Sequence, residues 1–125
     1  MYQIWDSLAT CSLMEGLTPE GWIIVDVRDL KDGEGNSIEA VKTKIIIIGN
    51  LLACGQKVCI RCLAGMSRSN TLACAAMMLF TMNHHWDHEW NVVIKACPRA
   101  HQNQDFVDTV KRALLELGTQ KERLY

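Results

Sequence analysis

The chain has 125 residues, a formal net charge of −1, and a composition that is 49% hydrophobic and 22% charged. This length predicts one domain, residues 1–125, with a core large enough to fold without disulfides or a structural metal. The balanced charge argues against nucleic-acid or membrane-surface binding through bulk electrostatics, and the hydrophobic content argues against a disordered chain.

The six cysteines do not indicate a secreted, disulfide-bonded protein. Residues 1–10 contain Trp5 and Asp6 and lack the basic region of a signal peptide. No apolar stretch reaches the length of a membrane-spanning helix. We therefore expect a cytoplasmic protein without a membrane partner, whose thiols stay reduced.

The N-terminal part of the chain alternates predicted strands with one short helix. Asp6 or Ser7 is a candidate cap for that helix. The predicted elements are a strand at 2–5, a helix at 7–17, a turn at 18–21, a buried strand at 22–27 and a polar, glycine-rich loop at 28–36. The loop follows a parallel-type strand, and ligand sites in open α/β sheets gather at such strand ends.

A helix is predicted over residues 37–54, although four consecutive isoleucines at 45–48 would also suit a strand. Ser37 is a plausible cap and Gly55 a plausible end. We prefer the helix because apolar residues continue at helical spacing on both sides of the isoleucines. These residues are Ile38, Val41, Ile45, Ile48, Leu51 and Leu52.

The second half of the chain is predicted to be mainly helical. The elements are a strand at 58–61, helices at 69–82 and 87–97, a break at 81–85, a loop at 99–102 and a last helix that ends at Leu117. Pro98 stops the second of these helices, Asn103 or Asp105 caps the last, and Gly118 ends it. Because strands alternate with helices, we expect an α/β fold with a small parallel-type central sheet flanked by helices.

One stretch carries a recognisable chemistry. Cys62 and Arg68 are separated by five residues, between a predicted strand and the start of a predicted helix. Inward-facing amides and the positive end of the helix would bind an anion and hold Cys62 as a thiolate. Arg68 could bind two oxygens of a tetrahedral anion. A nucleophile, an anion cradle and a charge clamp predict phosphoryl transfer through a cysteinyl-phosphate intermediate.

Residues 62–69, Cys-Leu-Ala-Gly-Met-Ser-Arg-Ser, resemble the signature loop of cysteine-based protein phosphatases, in the variant typical of small dual-specificity phosphatases. The resemblance implies an α/β fold with this loop at the C-terminal edge of the sheet, and it implies no metal or other cofactor. It makes Cys62 the nucleophile, Arg68 the ligand of the phosphate and Ser69 the hydroxyl that bonds the sulfur and eases breakdown of the phosphoenzyme. The residues implied to bind the substrate phosphate are Leu63, Ala64, Gly65, Met66, Ser67 and Arg68.

The chemistry also needs a general acid that protonates the leaving oxygen. In the family this acid is an aspartate on a loop well before the cysteine. Asp32 stands thirty residues before Cys62, in a stretch Asp-Gly-Glu-Gly-Asn that resembles the corresponding loop of some small dual-specificity phosphatases. Asp29, thirty-three residues before Cys62, is the alternative. We name residues 28–36 the acid segment.

Residues 93–106 resemble the segment that supports the signature loop in the family, and Asn103 is the residue expected to do so here. Cys97 and Gln102 stand where the family usually has arginine and proline. The residue before the nucleophile is also unusual, because Arg61 replaces a histidine that helps to order the loop in the family. Cys59 with Cys62, or Cys97 with Cys62, is a candidate for a protective disulfide under oxidation.

Together these features predict a phosphatase that acts on phosphorylated proteins. It should hydrolyse phosphotyrosine, and a shallow pocket would also admit phosphoserine and phosphothreonine. An RNA 5′-phosphatase or a phosphoinositide phosphatase is the alternative, which a basic rim containing Arg28 and Arg61 would favour. A further alternative is a pseudophosphatase that binds a phosphorylated partner without turnover. The reason to consider it is that Arg61 stands where the family usually has histidine.

Overall fold

The computed structural model describes residues 1–13, 20–64, 66–82 and 85–118. The fold is α/β as predicted, but strands and helices do not alternate throughout these residues, because three strands precede the first helix and three helices follow the last strand. The elements are β1 (Tyr2–Trp5), β2 (Leu8–Ser12), β3 (Trp22–Asp26), α1 (Ile38–Ala53), β4 (Lys57–Cys62), α2 (Arg68–Thr81), α3 (Trp86–Ala96) and α4 (Gln104–Glu116).

The four strands form one sheet in the order β1-β2-β4-β3. Strand β1 is antiparallel to β2, whereas β2 and β3 both run parallel to β4. The register places Ser12 beside Cys62 and Asp26 beside Arg61. The C-terminal ends of β2, β4 and β3 therefore meet at one edge of the sheet, which confirms the predicted parallel-type arrangement.

The prediction of a helix at 7–17 is wrong over residues 8–12, which form β2. These residues pair with β4 from Leu8 beside Val58 to Ser12 beside Cys62, and the first four are buried. A central strand needs a partner on each edge, and this tertiary pairing outweighs a local sequence that resembles a capped helix. Residues 14–17 of that prediction, and 18–19 of the predicted turn, lie outside the described residues.

Helix α1 confirms the helical interpretation of the isoleucine run. Ile45 and Ile48 are fully buried, whereas Ile46 and Ile47 are 38% and 42% exposed. This spacing is that of a helix face, because a strand would bury alternate residues. The Ser37 hydroxyl accepts a hydrogen bond from the Ala40 N–H at 3.0 Å, as expected of the cap.

The main core lies on one face of the sheet and includes residues from all four helices. Val58, Ile60 and Cys62 of β4 contribute to it. A smaller cluster on the other face contains Cys59 and Cys11. Cys59 and Cys62 thus lie on opposite faces, an arrangement that does not favour a bond between them.

All six cysteines are free thiols. Cys59 approaches Cys11 of β2, with 3.1 Å between the two Sγ atoms. No helix in the described residues is long and apolar enough to span a bilayer.

The last two helices begin and end close to their predicted bounds. Asn103 caps α4, because its Oδ1 accepts hydrogen bonds from the N–H groups of Asp105 and Phe106. Gly118 follows this helix with a φ of 92°, a backbone angle that glycine adopts without strain.

The isoleucine run supplies a test of the α1 register. We expect Ile45→Ala to lower the free energy of unfolding by about 2–5 kcal/mol, because it leaves a cavity in the main core. Its neighbour Ile47 is 42% exposed, so Ile47→Ala should change the free energy by no more than about 0.5 kcal/mol. Urea denaturation of both variants measures the difference, and equal losses would contradict the helical register.

Candidate active site

The predicted nucleophile is the last residue of β4, where the strand runs into the signature loop. Cys62 is 2% exposed and Ser69 is fully buried. The Cys62 thiol donates a hydrogen bond to Ser69 Oγ at 3.3 Å. In the thiolate form the serine hydroxyl would donate instead, and this contact would then stabilise the sulfur anion.

The remaining loop residues connect Cys62 to the first turn of α2. Leu63 and Ala64 are exposed, and Gly65 lies outside the described residues. Ser67 occupies the N-cap position of α2, but its side chain makes no capping hydrogen bond. The amides of the first turn are therefore left without a side-chain cap, which is the condition for binding an anion at a helix N-terminus.

The Ser67 hydroxyl is directed to the acid segment. It donates a hydrogen bond to Asp32 Oδ1 at 2.7 Å. Asn103 Nδ2 donates to the backbone carbonyl of Asp32 at 2.9 Å. Asn103, predicted to support the signature loop, thus contacts the acid segment as well as capping α4. Asp32 itself is exposed, so a substrate can reach its carboxyl group.

The guanidinium of Arg68 also joins the two segments. Its Nη1 donates to the Leu30 carbonyl at 2.7 Å and to the Arg28 carbonyl at 3.2 Å. No hydrogen bond of its Nε or Nη2 is found within the described residues, so these two groups can face a bound anion. The structure thus brings Cys62, Ser69, Arg68 and Asp32 to one edge of the sheet.

Asp29, the alternative acid, lies in a different environment. Its carboxylate is 64% exposed and pairs with Lys44 of α1 at 3.2 Å. It lines a shallow cleft together with Asp26, Arg28 and Lys44. This cleft is beside β3 and α1, and the side-chain contact of Asp29 is with α1 rather than with the signature loop.

The signature loop has supports that sequence reasoning missed. The Met66 carbonyl accepts hydrogen bonds from the His101 N–H at 3.0 Å and from Asn70 Nδ2 at 3.1 Å. Asn70 is fully buried, and its Oδ1 accepts a 2.8 Å hydrogen bond from the Thr10 hydroxyl. A polar amide near the start of an apolar helix is the signal that could have identified Asn70.

Asp26, at the end of β3, binds two arginines. It accepts hydrogen bonds from Arg28 Nε at 2.9 and 3.0 Å, from the Arg28 N–H at 2.9 Å and from Arg61 Nη2 at 3.1 Å. Burial acts to raise the pKa of Asp26, but the hydrogen bonds from Arg28 and Arg61 outweigh it and lower the pKa to about 2. Asp26 is therefore ionised at neutral pH and connects β3 to Arg61, the residue before Cys62.

No candidate metal site is found among the described residues. In residues 1–13, 20–64, 66–82 and 85–118, no three His, Cys, Asp or Glu side chains are grouped so that they could hold a metal ion. Of the histidines near the start of α3, His84 lies outside the described residues, whereas His88 contacts the adjacent Glu89 at 2.9 Å.

The lowered pKa of Asp26 predicts a pH-dependent stability. Its ordinary pKa is 3.8 and its folded value is about 2, so the ionised form stabilises the fold above pH 4, and this contribution disappears as the pH falls through 2. Allowing for solvent screening, we expect Asp26→Asn to cost about 1–2 kcal/mol at pH 7. Urea denaturation at pH 7 and pH 2 measures the change. The same substitution at the exposed Asp108 serves as the control. If Asp26→Asn lowers the free energy of unfolding as much at pH 2 as at pH 7, the lowered pKa of Asp26 is contradicted.

Comparisons with known proteins agree on the architecture. The sequence matches no protein-family model and no curated protein. The structure is similar to that of human DUSP28, with a TM-score of 0.75 and 15% identity over 96% of this chain and 99% of that chain. It is also similar to a mouse putative dual specificity phosphatase complexed with zinc tungstate, with a TM-score of 0.57, 21% identity, and 70% and 54% of the two chains covered.

A third similar structure is the human tyrosine phosphatase-like serine/threonine/tyrosine-interacting protein. Its TM-score is 0.56 and its identity is 23%, with 66% of this chain and 54% of that chain covered. The implied position of the signature loop at the C-terminal sheet edge is the one observed here. The chain has the fold of the dual-specificity and tyrosine phosphatases.

Proposed function

We propose that this protein is a cysteine-dependent phosphatase that hydrolyses phosphotyrosine, and also phosphoserine and phosphothreonine, in protein substrates. The observation that carries the proposal is the contact between the signature loop and the acid segment. The 2.7 Å hydrogen bond from Ser67 to Asp32 holds a carboxyl group beside the loop that begins with Cys62. The likeness to solved phosphatases supports the same conclusion at the level of the fold.

In the first step, the Cys62 thiolate attacks phosphorus and the bond from phosphorus to the leaving oxygen breaks. Asp32 transfers its proton to that oxygen. The amides of the signature loop and the guanidinium of Arg68 hold the three equatorial oxygens as their charge redistributes. The first turn of α2, whose N-cap makes no side-chain hydrogen bond, would supply some of these donors.

In the second step, water attacks the cysteinyl phosphate. Asp32, now ionised, accepts a proton from that water, and the bond from sulfur to phosphorus breaks to release inorganic phosphate. The departing sulfur becomes a thiolate. Ser69 Oγ, 3.3 Å from Cys62 Sγ, donates its proton in a hydrogen bond to this thiolate and makes it a better leaving group.

The geometry favours Asp32 over Asp29 as the general acid. Asp32 contacts Ser67 of the signature loop, whereas Asp29 pairs with Lys44 on α1. A general acid must come within hydrogen-bonding distance of the leaving oxygen. Asp29 would have to break its ion pair and change its position to meet this condition.

A monophosphate on a protein suits the site better than a polyphosphorylated RNA end or an inositol phosphate. Those substrates would need additional cations around the cradle. Arg28 and Arg61, the expected basic rim, both bind Asp26. Both guanidinium groups are therefore directed to the same carboxylate, which offsets one of their two positive charges before any substrate arrives.

The second candidate function is phosphate recognition without turnover. The favouring observation is the direction of Arg61, whose guanidinium pairs with Asp26 at 3.1 Å. An arginine lacks the acceptor nitrogen of histidine and cannot make the same hydrogen bonds to a loop. One of the similar structures is named as a tyrosine phosphatase-like interacting protein. The presence of Cys62, Arg68 and Asp32 nevertheless supports turnover over recognition alone.

The proposal predicts the activities of three variants. With EDTA present, we expect wild-type protein to hydrolyse p-nitrophenyl phosphate and a phosphotyrosine peptide, and Cys62→Ser to hydrolyse neither. Asp32→Ala should lower kcat on the peptide by about 100-fold or more, because tyrosine is a poor leaving group without a general acid. The loss should be smaller on p-nitrophenyl phosphate, whose product is a more stable anion.

Asp29→Ala is the matched control and should retain activity within about threefold, since Asp29 takes no part in the proton transfer. A larger loss from Asp29→Ala than from Asp32→Ala would exchange their proposed roles. Wild-type protein that binds phosphate but turns over neither substrate between pH 5 and 8 would support the second candidate function and overturn the first.

A further inference from the structure

We propose that a cleft beside the signature loop binds an acidic side chain that flanks the phosphorylated residue of a peptide substrate. This inference rests on the proposed phosphatase function and specifies its substrate. The cleft has a volume of about 310 Å³ and is lined by Tyr2, Ser12, Ala64, Met66 and Arg99. Two of these residues belong to the signature loop, so an occupant of the cleft would lie directly beside a bound phosphate.

The topology places this cleft opposite the general acid. In the sheet order, β2 and β3 lie on the two sides of β4. The acid segment follows β3, whereas Ser12 is the last residue of β2, and Tyr2 lies in β1 opposite Thr10. A peptide whose phosphorylated residue enters the signature loop, with Asp32 on one side of it, can therefore extend over the cleft on the other side.

The cleft is expected to bind an anion because the guanidinium of Arg99 gives it a positive charge. Arg99 is exposed, and within the described residues no carboxylate forms an ion pair with it. The cleft on the β3 side is different, because its cations Arg28 and Lys44 pair with Asp26 and Asp29. A guanidinium without a carboxylate partner attracts a carboxylate or a phosphate and can bind either in a bidentate geometry.

The backbone that carries Arg99 is fixed against the signature loop. The Ala100 N–H donates to the Cys97 carbonyl at 2.9 Å, and the His101 N–H donates to the Met66 carbonyl at 3.0 Å. Cys97 is fully buried and Ala100 is 8% exposed. The base of the Arg99 side chain thus has a defined position relative to the phosphate site, which reduces the entropy lost when the guanidinium binds a ligand.

The test compares phosphotyrosine peptides that differ only in the flanking residues: glutamate, alanine, lysine or a second phosphoresidue. We expect wild-type protein to prefer the glutamate peptide to the alanine peptide. Arg99→Ala should lower kcat/KM on the glutamate peptide by about five- to tenfold, mainly through KM, because one charge-assisted contact is lost. Its activity on p-nitrophenyl phosphate and on the alanine peptide should not change.

Two further variants test the proposal: a charge reversal at Arg99, and a control substitution of an arginine far from the cleft. Arg99→Glu should prefer the lysine peptide, whereas Arg112→Ala, on the exposed surface of α4, should behave as wild type. Equal losses on the glutamate and alanine peptides would overturn the proposal, and so would the absence of a wild-type preference. A stronger response to the second phosphoresidue than to glutamate would assign the cleft to doubly phosphorylated substrates and overturn the choice of a carboxylate.

The outcome can be separated from that of the proposed function. If wild-type protein hydrolyses no phosphate ester, the phosphatase proposal fails, but the cleft is still tested by the affinity of Cys62→Ser protein for the same four peptides. The proposal for the cleft is supported without catalysis if two results are found. The affinity for the glutamate peptide must exceed that for the alanine peptide, and it must fall in the Arg99→Ala variant. Peptide affinities that do not change with Arg99→Ala would overturn the proposal for the cleft.

Discussion

The site depends on a helix N-terminus that its own cap residue leaves open. Ser37 and Asn103 turn their side chains back onto the amides of α1 and α4. Ser67 occupies the same position in α2 but donates its hydroxyl to Asp32 instead. The unsatisfied amides of a first turn cost free energy unless water or an anion binds them. Leaving them open favours anion binding near Cys62, where the proposed mechanism requires it.

The hydrogen bond that Ser67 donates to Asp32, in place of capping α2, also explains how two distant parts of the chain form one site. Ser67 and Arg68 are consecutive, and both contact the acid segment, through the Asp32 carboxylate and the Leu30 carbonyl. The main-chain contact constrains where the segment runs, and the side-chain contact constrains where the carboxylate points. In the proposed mechanism, substrate need not assemble the site from separate loops, because the positions of nucleophile, charge clamp and acid already constrain one another.

Sequence reasoning was most successful where local chemistry decides the outcome. The cap at Ser37 and the helical period of the isoleucines each depend on residues close in the chain. It failed for β2, because Leu8–Ser12 becomes a strand through its pairing with β4. It also gave no role to the Thr10–Asn70 hydrogen bond, whose partners are sixty positions apart. Such contacts follow from the fold rather than from any local pattern.

The cysteines show the same limit. Burial and the charge of Glu89 raise the pKa of the Cys74 thiol in α2, so Cys74 acts as a small hydrophobic residue. Six cysteines alone did not separate this role from that of a nucleophile. The residues around Cys62, and not its own identity, indicated the difference.

Arg61 joins two strands directly before the signature loop. Side chains alternate along a strand, so Arg61 points to the face opposite Cys62. It meets Asp26 there, while its carbonyl accepts the Val27 N–H at 2.8 Å. The end of β4 is thereby attached to the end of β3 immediately before Cys62. The same carboxylate also binds Arg28, so both guanidinium groups are directed to Asp26. In the two proposals above, Arg68 binds the phosphate and Arg99 binds the flanking anion.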